Sequence, residues 1–115
     1  MEEKNVIDYL TALIQITGRN VFPEDILMQI VMPPGSSEKQ LRAYNLLDGT
    51  LTQTEICKAL KIDKGSFSRT VSRWISLGVV FKIGEGKDKK LLHVYPLPEN
   101  NIKKISKRRK EWIHI

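Results

Sequence analysis

One stretch of this chain carries residues patterned for chemistry. From Ser66 to Ser76 it reads Ser-Phe-Ser-Arg-Thr-Val-Ser-Arg-Trp-Ile-Ser. Phe67, Val71, Trp74 and Ile75 recur at the spacing of one helix face. Ser66, Ser68, Arg69, Ser72, Arg73 and Ser76 fall on the other face. An exposed helix with no further task favours Glu and Lys pairs four residues apart. Serines instead let a helix approach a partner closely, and arginines fork onto guanine O6/N7 or onto phosphate oxygens. The chemistry implied is non-covalent recognition of a grooved, anionic partner. The plainer alternative is an ordinary surface with two incidental arginines.

Other cations and polar groups fit the same partner. Lys64 stands just ahead of the serine–arginine stretch, and Lys87, Lys89 and Lys90 crowd a glycine-containing turn. Thr52 and Gln53 open a helix, where backbone N–H groups attract phosphate. Their capping role alone explains them equally well. Near the end of the chain Lys103, Lys104, Lys107, Arg108, Arg109 and Lys110 form a basic run suited to contacts along a phosphate backbone. A solvated tail is the alternative reading. Trp112, Ile113 and Ile115 follow it and suggest docking against another element.

Catalytic and metal chemistry find no foothold. His93 and His114 have no partners at ligand spacing, so no metal or cofactor is expected. No Ser/His/Asp or Cys/His arrangement, phosphate loop or paired acid is spaced for a reaction, and the expectation is a protein that is not an enzyme. The single cysteine, Cys57, excludes an internal disulfide framework and reads as a buried thiol where two helices pack. A thiol sensor is the sharper alternative, with Lys58 and Lys61 lowering its pKa.

These residues need elements to hold them. An amphipathic helix is expected from Glu3 to Thr17, with Val6, Ile7, Leu10, Leu13, Ile14 and Thr17 on one stripe and Gly18 ending it. Pro23 to Val31 reads as a short helix stopped by Met32-Pro33-Pro34-Gly35. Ser36 or Ser37 caps the next helix, with Gln40 completing a capping box after Ser37 and Leu41, Ala43, Tyr44 and Leu47 facing inward. Asp48-Gly49 closes it. Thr52 with Glu55 forms a second capping box, with Ile56, Ala59 and Leu60 as buried positions. Asp63 or Ser66 caps the helix that runs to Leu77, and Gly78 halts it. Periodicity then switches to strands, Val79 to Ile83 and Leu91 to Tyr95, joined by a basic tip from 84 to 90. A last basic helix is expected from Asn100 or Asn101.

The 115 residues favour one domain, with residues 1–35 an N-terminal helical extension, 36–98 the principal unit and 99–115 a basic helix or arm. The formal net charge is +6, but residues 1–35 hold two Lys/Arg against five Asp/Glu, so the basic character belongs to the rest. No apolar run is long enough to span a bilayer, and Met1-Glu2-Glu3-Lys4 lacks the basic start of a signal peptide. A cytoplasmic protein without a membrane partner is expected.

Helix, short turn, helix and hairpin in this order resemble a winged helix-turn-helix over about Ser37 to Pro96. Leu51-Thr52-Gln53-Thr54-Glu55-Ile56-Cys57-Lys58-Ala59-Leu60, followed by Gly65 to Trp74 and Leu77-Gly78-Val79-Val80, is similar to regulators of the MarR type. Lys61 stands where many members place a turn glycine. The resemblance implies a mainly α fold with a small β-hairpin (α+β), flanked by N- and C-terminal helices. It also implies a transcriptional regulator binding double-stranded DNA, with helix 66–77 in the major groove and the hairpin tip on the backbone or minor groove. A homodimer is expected, built through the apolar stripe of the first helix; the alternatives are that the stripe completes the monomer's own core or meets another protein partner. Two alternatives stay open: a DNA-binding subunit of plasmid or phage replication or partition machinery, and a winged-helix assembly module that binds protein.

Overall fold

Proline, glycine and capping side chains divide the chain into helices and strands, and tertiary contacts then set their limits. The computed structural model describes residues 3–84, 86 and 89–99. They form α1 (Glu3–Val21), α2 (Glu24–Val31), α3 (Glu38–Asn45), β1 (Asp48–Thr52), α4 (Gln53–Leu60), α5 (Lys64–Ser76), β2 (Val80–Ile83) and β3 (Lys90–His93). The fold is mainly α with a small antiparallel sheet, in the element order of a winged helix. The expected helix from Asn100 or Asn101 lies outside the described residues.

α1 runs past the expected stop at Gly18. That glycine is an internal helical residue chosen for close approach: a Cβ there would come within 2.9 Å of Val94 Cβ. The apolar stripe of α1 does not turn inward as a whole. Ile14 packs against the core, whereas Leu10, Leu13 and Ile16 are more than half exposed. Pro23 precedes α2 as its N-cap, and Leu27, Met28 and Val31 of α2 enter the common core.

α2 ends with no basic residue in its last turn, leaving carbonyls that need donors. Two come from distant elements. Gln40 Nε2 donates to the Val31 carbonyl at 2.7 Å, and Arg73 Nη2 donates to the Ile30 carbonyl at 3.3 Å. The expected Ser37–Gln40 capping box therefore does not form, and Ser37 is an N-cap without a side-chain hydrogen bond. The box at α4 is complete: Thr52 N–H donates to Glu55 Oε1 at 2.9 Å and Glu55 N–H to Thr52 Oγ1 at 3.2 Å. Below it Ile56 and Cys57 are buried, Leu60 is half-buried and Ala59 faces solvent, correcting the expected inward position of Ala59.

The core closes around α3 and α5. Tyr44 and Trp74 are both fully buried, with ring centroids 5.5 Å apart edge to face, and Phe67 meets Trp74 at 6.2 Å. The Tyr44 hydroxyl donates to the Tyr95 carbonyl at 2.7 Å and is a structural group. Asn45 holds Leu97 in both directions, Nδ2 to its carbonyl at 2.8 Å and Oδ1 from its N–H at 2.9 Å. Tyr95 donates through its hydroxyl to the Phe22 carbonyl, and the Arg19 guanidinium lies 4.4 Å above its ring.

The hairpin expected from sequence is present as β2 and β3, paired in the register Val80↔His93 to Ile83↔Lys90. A third strand, β1, pairs antiparallel with the other edge of β3 and makes the order β1-β3-β2. Its Asp48-Gly49 start is thus a strand entry as well as the end of a helix. Asp48 Oδ1 accepts from Thr50 N–H at 3.0 Å, a local turn bond that shapes the entry.

His93 on β3 is the one buried polar or charged residue outside the hydrophobic core cluster among the described residues. Its Nδ1 donates to the Tyr44 carbonyl at 2.9 Å, and its ring lies 5.2 Å from that of Tyr44. Burial lowers its pKa from the ordinary 6.5, more than the bond to Tyr44 raises it. A depressed histidine means that the unfolded chain takes up the proton first. Its contribution to stability is full above about pH 6.5 and declines as pH falls toward the folded pKa. Thermal melting from pH 8 to 5 is expected to show Tm falling below about pH 6.5, and His93→Gln is expected to flatten that decline. An unchanged pH profile in the variant would refute the assignment.

Candidate nucleic-acid interface

α5 is positioned by its cap and its inner face. Asp63, not Ser66, caps it, accepting from Ser66 N–H at 2.8 Å through Oδ2. Phe67, Val71 and Trp74 are buried and Ile75 packs against the core. Lys64, Ser66, Ser68, Arg69, Ser72 and Arg73 are all exposed, as the two-faced spacing requires. The helix from Lys64 to Ser76 contains no Asp or Glu. Its outer surface is therefore cationic and hydroxyl-rich without an internal counter-charge.

The two arginines differ. Arg73 reaches back to the end of α2, where its guanidinium completes the carbonyl of Ile30. Arg69 forms no ion pair among the described residues and stands near the middle of the outer face. Thr70 Oγ1 donates to the Ser66 carbonyl at 3.2 Å and Ser76 Oγ to the Arg73 carbonyl at 2.9 Å, so these hydroxyls are partly returned to the helix itself.

Tertiary structure brings several expected contacts to one edge of α5. Thr52, Gln53, Lys64, Ser68 and Lys89 line a cleft of about 260 Å³ where the start of α4, the start of α5 and the hairpin meet. Lysines from two separate elements thus converge beside the open end of α4. Thr52 Oγ1 accepts the Glu55 N–H, which leaves its own O–H, the Gln53 side chain and the Gln53 and Thr54 amides for an outside group. Lys90 lies one residue away on β3, half-buried and opposite Thr52. The Glu55 carboxyl is held below its usual range by the backbone and side-chain bonds from Thr52, with weaker help from Lys90 and Lys58. Lys87 and the basic run Lys103, Lys104, Lys107, Arg108, Arg109 and Lys110 lie outside the described residues, as do Trp112, Ile113 and Ile115.

Cys57 forms part of the floor of this cleft and is only 4% exposed. Burial pushes its thiol pKa up, and Lys64 only partly opposes that. The sequence reading placed Lys58 and Lys61 beside it, but the cation that acts on the thiol is Lys64, and desolvation outweighs it. A protonated, buried thiol is a packing group and a poor nucleophile.

The other edge of α5, at Ser66 and Thr70, borders a second cleft that no sequence pattern marked. Its walls come from α3 and from the turn between α4 and α5, elements far apart in sequence. The one local signal was Lys61, whose backbone is left-handed (φ 55°) where a glycine is free of strain.

Residues 40–91 match the MarR family. The matched segment runs from Gln40 in α3 to Leu91 in β3 and supports a MarR-type winged helix over those residues. No match was found among curated proteins or solved structures.

The cap of α5 carries the first prediction about this surface. Asp63→Ala is expected to cost about 1 kcal/mol of stability, and Asp63→Asn only a few tenths, because asparagine accepts the same N–H. Chemical denaturation checks both. Equal losses in the two variants would show that the carboxylate charge, not the cap bond, stabilises the helix.

Proposed function

We propose that this protein is a sequence-specific, double-stranded-DNA-binding transcriptional regulator and not an enzyme. The observation that carries the reading is the outer face of α5, thirteen residues without an acid, presenting serines around Arg69. An α-helix is roughly 10–12 Å across and the major groove about 12 Å wide, so a face of short hydroxyls lets the helix sit deep. Arg69 then reads a base edge, Ser66, Ser68 and Ser72 flank it, and Arg73 steadies the helix against α2 while facing the same rim. Thr52, Gln53, Lys64 and Lys89 engage one phosphate backbone, with Lys87, Lys90 and the C-terminal basic run adding contacts. The MarR match supports regulation over a role in replication or partition. No helix of the described residues is long and apolar enough to cross a membrane, which is compatible with a cytoplasmic regulator.

A homodimer completes the reading. Tyr9, Leu13 and Ile16 on α1 are each about 60% exposed, alongside Val6, Ile7 and Leu10. A contiguous apolar row of this size marks an association surface on a water-soluble domain. Two copies joined there present two α5 helices to successive half-sites of a pseudo-palindrome. Another protein docking on the same row is the competing use.

Selection of duplexes from a genomic fragment pool, followed by binding titrations across a salt series, tests the DNA reading. Arg69→Ala is expected to lose ten- to a hundredfold of the preference for the enriched fragment over random duplex, the size of one bidentate base contact. Its log–log salt slope is expected to change by no more than about 0.9. If preference is untouched, α5 does not read bases and the assembly-module reading takes its place. For the dimer, sedimentation of Leu13→Glu/Ile16→Glu is expected to give a folded monomer where the parent chain is a dimer. A monomeric parent chain would leave α1 as a surface for a different protein.

A further inference from the structure

We propose that α5 is flanked by two phosphate-binding clefts, and that the unmarked one, built by Lys39 and Lys61, takes the second strand of the duplex. This rests on the reading of α5 as a groove-binding helix and extends it to the far rim of that groove. The cleft holds about 200 Å³ and is lined by Ser37, Lys39, Gln40, Lys61, Ser66 and Thr70, together with the edges of Ile62 and Phe67. Its lining contains no acidic residue, and neither lysine forms an ion pair among the described residues. Ammonium groups and hydroxyls converging without a counter-charge are the donor set for a phosphodiester oxygen.

Position on the helix gives the cleft its partner. Ser68, in the first cleft, and Ser66, in the second, are two residues apart on α5, a rotation of about 200° around the axis. The two clefts therefore open on opposite edges of the same helix, with Arg69 between them. A helix lying in a major groove is bordered by one phosphate strand on each side. The cleft of Lys64 and Lys89 meets one strand, and the cleft of Lys39 and Lys61 meets the other.

The backbone at Lys61 supplies an independent reason. It is the only non-glycine residue with positive φ among the described residues, at φ 55° and ψ 52°. Glycine occupies that region without a steric penalty, whereas a lysine is strained there. The chain end of α4 needs only the Lys61 N–H, which donates to the Cys57 carbonyl and which glycine also has. The side chain is thus retained at a conformational cost that the turn itself does not require, and it is placed in the cleft.

Lys61→Gly separates the two roles. The full-length variant is expected to melt at or above the parent Tm, because strain is relieved. The log–log salt slope for duplex binding is expected to become shallower by about 0.9, and by about 1.8 in Lys39→Gln/Lys61→Gly. Lys64→Gln/Lys89→Gln on the opposite edge serves as the comparison, with a similar loss expected. Slopes unchanged in the Lys39/Lys61 pair but reduced in the Lys64/Lys89 pair would overturn the second cleft and leave the DNA reading intact. Absence of duplex binding by the parent chain would overturn both. A Tm fall in Lys61→Gly together with an unchanged slope would make Lys61 a structural residue only.

Discussion

Trp74 lies where α5 meets α3, and the direction in which α5 faces follows from its burial. Its indole is fully buried, with Tyr44 and Phe67 edge-on to it. Burying an aromatic side chain of this size contributes about 4–6 kcal/mol. The indole N–H has no hydrogen-bond partner among the described residues, which costs about 1–3 kcal/mol. The ring wins, and any rotation of α5 that freed the N–H would give up the larger amount. With Phe67 and Val71 drawn in on the same face, Ser68, Arg69 and Ser72 have nowhere to go but outward. The exposed chemistry is a consequence of the apolar anchor behind it.

The same cluster reaches the sheet. Tyr44 donates to the Tyr95 carbonyl just beyond β3, and its own carbonyl accepts from His93 within β3. Val79 N–H donates to the Trp74 carbonyl, and Val94 N–H to the Val79 carbonyl, so the end of α5 and the hairpin are joined by backbone bonds. Lys89 and Lys90 therefore belong to a hairpin tied to the end of α5 instead of to an independent arm. β1 adds a second edge to β3 and delivers Thr52, the cap of α4, directly beside Lys90. A cleft with walls from three elements results from one short sheet.

The N-terminal part follows a different logic. Residues 1–35 are acidic overall, and α1 presents most of its apolar stripe away from the core. It meets the body through Ile14, Gly18 and Arg19, the glycine allowing α1 to cross close over Val94 and the arginine lying over the Tyr95 ring. α2, by contrast, is fully part of the core and has its last carbonyls satisfied by Gln40 and Arg73. Arg73 joins the outer face of α5 to α2, so the attitude of that face and the packing of α2 share one residue.

Much of this was legible from sequence, and the reason is locality. The Thr52–Glu55 capping box, the two faces of α5, the inward Leu41, Ala43, Tyr44 and Leu47 and the strands of the hairpin depend on contacts within four residues or on a simple period. Such patterns are set before any distant element arrives. β1 was missed because Asp48-Gly49-Thr50-Leu51-Thr52 has one apolar residue and owes its extended form to the edge of β3. Gly18 looked like a stop because nothing local shows Val94 above it. Gln40 and Arg73 find acceptors on α2 only once three helices have packed, and Lys39 meets Lys61 only across the turn that packing creates. The sequence by itself determined the two faces of α3 and α5 and the capped start of α4. Tertiary structure alone decided which outward groups share a cleft, because that depends on how elements distant in the chain cross, and no short-range period encodes a crossing.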